Sequence, residues 1–192
     1  MLLELERRQR HWEATRERSC HEAPVPMETT PKKTSFTTLR SQPVKVRPAE
    51  ARPLFDIDRL WRPRRFHPPH WPEPDDGTVS DRSHGLLWEQ SGSDYALTWP
   101  EAEVYVQGLN RERSAGREDW RLPTVDELLS LITETPQIHS YCLAPPFDPA
   151  QRCLWSADRR SFNAAWFVSI DLGFVFWQDF TCHYYVRAVC SL

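Results

Sequence analysis

The chain of 192 residues carries 24 Lys/Arg against 27 Asp/Glu, a formal net charge of −3, with 40% hydrophobic residues. That length accommodates one ordinary domain with an appendage and excludes two full domains. No stretch reaches the roughly 20 apolar residues of a membrane-spanning helix, and the charge-studded start "MLLELERRQRHWEATRERSC" lacks the apolar run of about seven or more that a secretory signal needs.

A cytoplasmic location is therefore the expectation, with export by another route left open. In that compartment the five cysteines read first as thiols. Composition divides near residue 70. Residues 1–70 hold 15 Lys/Arg and 9 Asp/Glu, net +6, whereas 71–192 hold 9 and 18, net −9; eleven of the seventeen prolines lie at or before Pro74. A basic, proline-rich arm thus precedes an acidic domain. Its prolines and interspersed acids argue against a dense phosphate-binding patch, so nucleic acid is not the expected partner.

Along the arm, Glu4 with Arg8 and Glu6 with Arg10 have helical i,i+4 spacing, and Leu2, Leu5 and Trp12 form a narrow stripe, which predicts a short helix within residues 1–20. Residues 21–70 read as linker, with Leu54, Phe55, Ile57, Leu60 and Trp61 available as a collar on the domain. Residues 1–65 are the segment that a protein partner or a second copy would use.

The domain, residues 71–192, opens with strands predicted at Thr78–Asp81 and Leu86–Glu89, joined through Arg82, Ser83, His84 and Gly85 as a hairpin. Thr98 with Glu101 and Thr124 with Glu127 each fit a capping box, in which the Thr hydroxyl accepts an early backbone N–H and the Glu reaches back. Ala102, Tyr105, Val106 and Leu109 then line one helix; Val125, Leu128, Leu129 and Ile132 line the next. After the proline-rich "SYCLAPPFDPAQRC", alternating Trp166, Val168 and Ile170, a turn through Asp171–Gly173, and alternating Phe174 and Phe176 predict a β-hairpin. Tyr184–Cys190 makes a last strand. The fold class is α+β, with both ends of the domain in one sheet.

Five segments, "DDGTVSDRSHGLLWEQ", "TWPEAEVYVQGLN", "DWRLPTVDELLSLI", "LWSADRRSFNAAWFVSIDLGFVFWQD" and "YYVRAVC", closely resemble in this order the C-terminal domain family of the collagen-like adhesin Lcl, over about residues 75–192. The resemblance implies a C-type-lectin-like fold, related to the formylglycine-generating, sulfatase-modifying group: two helices packed on a short antiparallel sheet, preceded here by a long, mostly irregular arm. Within it Trp120 and Leu122 are expected in the core, Pro123 at the start of the helix and Thr124 as its cap. Arg121 and Arg187 require carboxylate or carbonyl partners, with Asp81, Asp119 and Glu127 the candidates.

No Gly-x-Gly-x-x-Gly, Walker loop, Gly-x-Ser-x-Gly or His-Glu-x-x-His is present, and a non-catalytic protein is expected. His67 and His70 in "HPPH" read as linker, and Cys142, Cys153, Cys182 and Cys190 lack the paired spacing of zinc knuckles. The related enzymes imply a test of Cys182 and Cys190 as a redox or copper pair. Eight residues of one extended strand span about 26 Å, far beyond the roughly 7 Å Cα limit for a disulfide, unless the chain bends. "WQD" offers one amide and one carboxylate, short of the six to eight oxygens calcium prefers, so calcium is compatible but not implied, and no cofactor is expected.

What remains is a recognition surface. Asp158, Arg159, Arg160, Ser161, Asn163, Trp177, Gln178, Asp179, Phe180 and His183 occupy two loop regions expected to form one face toward a glycan or protein ligand. The resemblance adds sulfated polysaccharide as a ligand class, which a net −9 domain repels unless Arg152, Arg159 and Arg160 cluster. Resembling lectin-like domains also serve as variable proteins of diversity-generating retroelements, in which surface codons of this region are mutated. A structural subunit docking through its arm is the alternative, and a formylglycine-generating-like oxidoreductase a weaker one.

Overall fold

Alternating burial builds the first hairpin as its sequence pattern predicts. In the computed structural model, which describes residues 38–66, 76–134, 142–143, 146–147 and 150–192, Thr78–Asp81 (β1) buries Val79 and Asp81, and Leu86–Glu89 (β2) buries Leu86 and Trp88. The Asp81 carboxylate is consumed locally: it accepts the Ser83 and His84 backbone N–H groups at 3.0 and 3.2 Å and lies 2.6 Å from His84 Nδ1. The helical stripe at Leu2–Trp12, Cys20 and the His67/His70 pair lie outside the described residues.

Residues 38–66, linker by composition, pack on the domain. Pro48, at the first helical position where its missing N–H costs nothing, starts a short helix, Pro48–Leu54 (α1). Ala51, Phe55 and Ile57 are buried from this segment together with Val46, and all described residues belong to the unit Ser35–Leu192.

Both capping boxes form. Thr98 accepts from Glu101 N and starts Trp99–Glu112 (α2), which ends at Arg113 in the left-handed region. Thr124 accepts from Glu127 N and starts Val125–Ser130 (α3). The second helix stops short of Ile132, where the apolar periodicity would carry it, because Ile132 instead bridges Leu143 and Thr133 N donates to Cys142 O at 2.8 Å.

Cys153–Arg159 (β3), Ala164–Ser169 (β4) and Phe174–Asp179 (β5) form an antiparallel sheet in that order. Val189–Ser191 (β6) pairs with β2 in a second sheet of order β1–β2–β6, so both ends of the domain do share a sheet. The predicted strand from Tyr184 is regular only at its end. Its earlier part bridges Leu97 and Leu154, crossing from one sheet to the other, and that crossing prevents a continuous ladder.

Every residue of β4 is buried. The sheet therefore divides two cores: Leu154, Trp166, Val168 and Val175 face α1 and α3, while Trp155, Ala165 and Phe167 face α2, Trp120 and Leu122. The result is an α+β domain in which the turns at the ends of the central sheet emerge to solvent. Among the described residues, no helix is long and apolar enough to cross a membrane.

Candidate functional site

The turn from β3 to β4 is a locally tied loop. Ser161 Oγ donates to Asn163 Oδ1 at 2.6 Å, Asn163 Nδ2 donates to Asp179 Oδ2 at 3.2 Å, and Arg160 N donates to Ala164 O at 2.8 Å. This network leaves Phe162 at the tip with 83% of its surface exposed. Alongside, the arm runs parallel to β3: Arg159 N donates to Val44 O and Val46 N to Arg159 O, both at 2.9 Å. Val46 turns inward, and Lys45 and Arg47 stay exposed on the outer side.

Arm and turn together enclose an open hollow of about 660 Å³ lined by Lys45, Arg47, Pro48, Glu50, Arg160, Ser161 and Asn163. Three cations face one carboxylate there, on a chain whose larger domain is acidic. Arg160 also lies over the Trp177 ring, its guanidinium carbon 5.0 Å from the centroid, and Trp177 is held in turn by Trp61 and Trp166 at 5.4 and 5.3 Å. The arrangement leaves three exposed cationic side chains at the hollow, one of them resting on a supported aromatic ring.

The ten residues expected on one face do not converge. Arg160, Ser161, Asn163, Trp177 and Asp179 sit at the hollow or beside it. Gln178, Phe180 and His183 belong to another neighbourhood: Phe180 stacks on Trp99 with centroids 4.5 Å apart, Cys182 Sγ lies 3.7 Å from Gln178 Oε1, and His183 lies near enough to Glu101 to help lower its pKa, after the larger effect of the Thr98 hydroxyl. Strand alternation separates Gln178 from Trp177 and Asp179, since neighbours along β5 point to opposite faces, while Phe180 and His183 lie beyond the end of the strand. Arg159 opens instead toward a hollow of about 420 Å³ between α2 and Pro43, shared with Glu103 and Arg121.

Asp158 requires a correction. It is fully buried, accepting from both terminal nitrogens of Arg40 at 2.8 Å, from Val44 N at 2.8 Å and from Val125 N at 2.7 Å. Desolvating a carboxylate is costly unless several donors converge, and these four meet that requirement. Asp158 joins the arm to α3 and offers nothing to a ligand. Lys45 and Arg47 are the members that the sequence reading omits. The alternation of Val44 and Val46 with Lys45 and Arg47 is their signal, obscured by the surrounding prolines.

Trp120 is 3% exposed and donates to Ser114 O at 2.9 Å; Arg121 forms a two-point pair with buried Glu127 at 2.7 and 2.6 Å. Arg187 departs from the expected carboxylates: its guanidinium donates to the carbonyls of Glu89 and Gln90 and to Gln151 Oε1, and lies over Phe147. Asp81 is engaged by its own turn, Asp119 pairs with Arg117, and Glu127 is taken by Arg121.

Cys142, Cys153, Cys182 and Cys190 are free thiols. Burial pushes the Cys153 thiol up to about 11 and raises Cys142 and Cys190 as well, which keeps all three protonated near neutrality. Among the described residues, no group of three or more His, Cys, Asp or Glu side chains is placed to hold a metal ion.

These features define an α+β domain of two small antiparallel sheets, with a basic hollow where an N-terminal strap meets the central sheet. Residues 77–190 match the family described as the Lcl C-terminal domain, and the chain belongs to that family. No curated protein and no solved structure matches it.

Proposed function

We propose that this protein is a non-catalytic, lectin-like recognition module whose ligand seats an anionic group in the hollow between the arm and the β3–β4 turn. The observation that carries this reading is the convergence of Lys45 and Arg47 with Arg160, Ser161 and Asn163, from segments more than a hundred residues apart, around one open cavity. Membership of an adhesin-associated family supports recognition over chemistry. The favoured ligand is an acidic glycan: the cations bind its sulfate or carboxylate, and exposed Phe162 offers a ring face for a sugar.

A protein ligand is the second reading, favoured by Phe162 itself, because exposed aromatic side chains flanked by arginine are typical interface anchors. In a diversified form of either reading, exposed Asn163 and His183 tolerate substitution, whereas Asp158, with its four internal donors, does not.

Isothermal titration of the full chain with a sulfated polysaccharide and with its desulfated counterpart tests the proposal. Binding is expected only with the sulfated chain, about ten-fold weaker in Arg160→Ala and in Lys45→Ala, and unchanged in Gln178→Ala on the other neighbourhood. Equal affinity across all three variants excludes the hollow. Loss in Phe162→Ala of binding to a protein, with no sulfated-chain binding in the parent, favours the second reading.

A further inference from the structure

The opposite end of the central sheet carries a second surface. About 20 Å along β4 from the hollow, the turn between β4 and β5 projects Leu172, and the arm turn Asp58–Arg62 projects Leu60; they are 61% and 66% exposed. Both turns are built to hold these side chains outward. Asp58 Oδ1 accepts from Leu60 N at 2.8 Å and from Arg62 N at 2.9 Å, and Asp58 N donates to Arg62 O at 2.8 Å. Trp61 adopts a positive φ of 64° and packs inward on Trp166 and Trp177, so that the turn directs its aromatic residue to the core and its leucine to water. In the other turn, Asp171 Oδ1 accepts from Leu172 N at 3.0 Å and from Ser169 Oγ at 2.6 Å.

The two turns abut. Val175 N donates to Trp61 O at 2.9 Å, and Arg62 crosses Gly173 so closely that a Cβ at that glycine would lie 3.2 Å from its Nη2. Exposed Arg59 and half-buried Arg62 belong to the Leu60 turn, and exposed Arg64 and Arg65 follow it in the chain. Against these four arginines stand three carboxylates, Asp56, which pairs with Arg65, and Asp58 and Asp171, which accept from their own turns, so the tip is net positive by one charge within an acidic chain.

We infer that this tip docks on an anionic lipid surface, with Leu60 and Leu172 entering the headgroup boundary and the arginines contacting lipid phosphates and carboxylates. Two projecting leucines supply far less than the about 800 Å² per side that stable protein interfaces bury. A bilayer accepts any projecting apolar group and adds its attraction for nearby cations. A soluble polyanion would use the arginines alone and gain nothing from the leucines. With the hollow at one end and the tip at the other, the domain would hold its ligand away from the membrane.

Co-sedimentation of the full chain with phosphatidylcholine vesicles, with and without phosphatidylserine, tests this at low ionic strength. Partition is expected only onto the anionic vesicles. It is expected to fall about ten-fold in the charge-neutral double variant Leu60→Ser/Leu172→Ser and about five-fold in Arg59→Gln, with melting temperatures unchanged because all three residues are exposed. Unaltered partition of the double variant, or equal partition onto neutral vesicles, overturns the inference. So does self-association by light scattering that the double variant abolishes while the parent ignores vesicles, which would make the tip a contact between copies.

Discussion

Arg40 and Asp158, 118 residues apart in sequence, form a two-point ion pair with both distances at 2.8 Å. Arg40 also lies 2.7 Å from Asp126, and its carbonyl accepts the Thr124 hydroxyl at 2.7 Å. One arginine thus clamps the strap to the start of α3 and the end of β3. Removing the buried carboxylate leaves the Val44 and Val125 N–H groups without their acceptor and takes the two-point partner from Arg40, which keeps Asp126. Asp158→Ala is expected to lose about 3–5 kcal/mol in urea denaturation. Backbone amides of residues 44–47 should exchange faster by hydrogen-exchange mass spectrometry, and weakening of ligand binding should accompany that loosening.

Glycine is required at position 92 for two reasons. Its φ is +69°, and a Cβ there would lie 2.4 Å from Val186 O and 2.6 Å from Gln151 Oε1. At Gly77, φ is similar at +73° but nothing lies within 4 Å. Gly77→Ala is expected to cost about 1 kcal/mol from backbone conformation alone, and Gly92→Ala about 3 kcal/mol or more, since Val186 O is main chain and cannot step aside cheaply. Thermal denaturation of the two variants side by side checks the difference.

The elements legible from sequence are those specified within a few residues. Thr98 with Glu101 and Thr124 with Glu127 announce their helices because a capping box closes over three positions. The β1–β2 hairpin shows in its alternation. Long-range placement is less visible. "SADRRSFN" reads as solvated loop, yet Asp158 is buried because Arg40 comes to meet it. Lys45 and Arg47 reach the site through pairing with β3, a partner that proline content conceals. The division of the expected face was available in principle: along β5 and the residue that follows it, Trp177 and Asp179 share one parity and Gln178 and Phe180 the other, and the two sets go to different neighbourhoods.

Arg187 holds the crossing between the sheets. It is fully buried and joins the Glu89 and Gln90 carbonyls to Gln151, so no shorter cation reaches all three. Arg187→Lys keeps the charge but loses the fork, and is expected to cost about 2–3 kcal/mol, as a buried group left partly unpaired. Arg187→Ala is expected to cost about 3–5 kcal/mol. Chemical denaturation ranks the two, and equal stability of the lysine variant and the parent would remove the argument from fork geometry.

Glu89 makes stability depend on pH in a direction opposite to that of an ordinary ion-paired acid. Burial raises its carboxyl pKa, and the hydrogen bonds from the Tyr105 hydroxyl and Ala188 N together with the Arg187 charge offset this only in part. The folded state therefore binds this proton more tightly than the unfolded chain does. The stabilisation is fully present below the unfolded carboxylate pKa and is lost as pH rises through the elevated folded value. Glu89→Gln removes the titration while keeping the shape, with the tyrosine hydroxyl able to accept from the new amide. The parent is therefore expected to gain stability relative to Glu89→Gln as pH falls from neutrality toward the unfolded carboxylate range. Urea titrations of both proteins across that interval measure the difference, and a gap that stays constant or narrows on acidification contradicts the assignment.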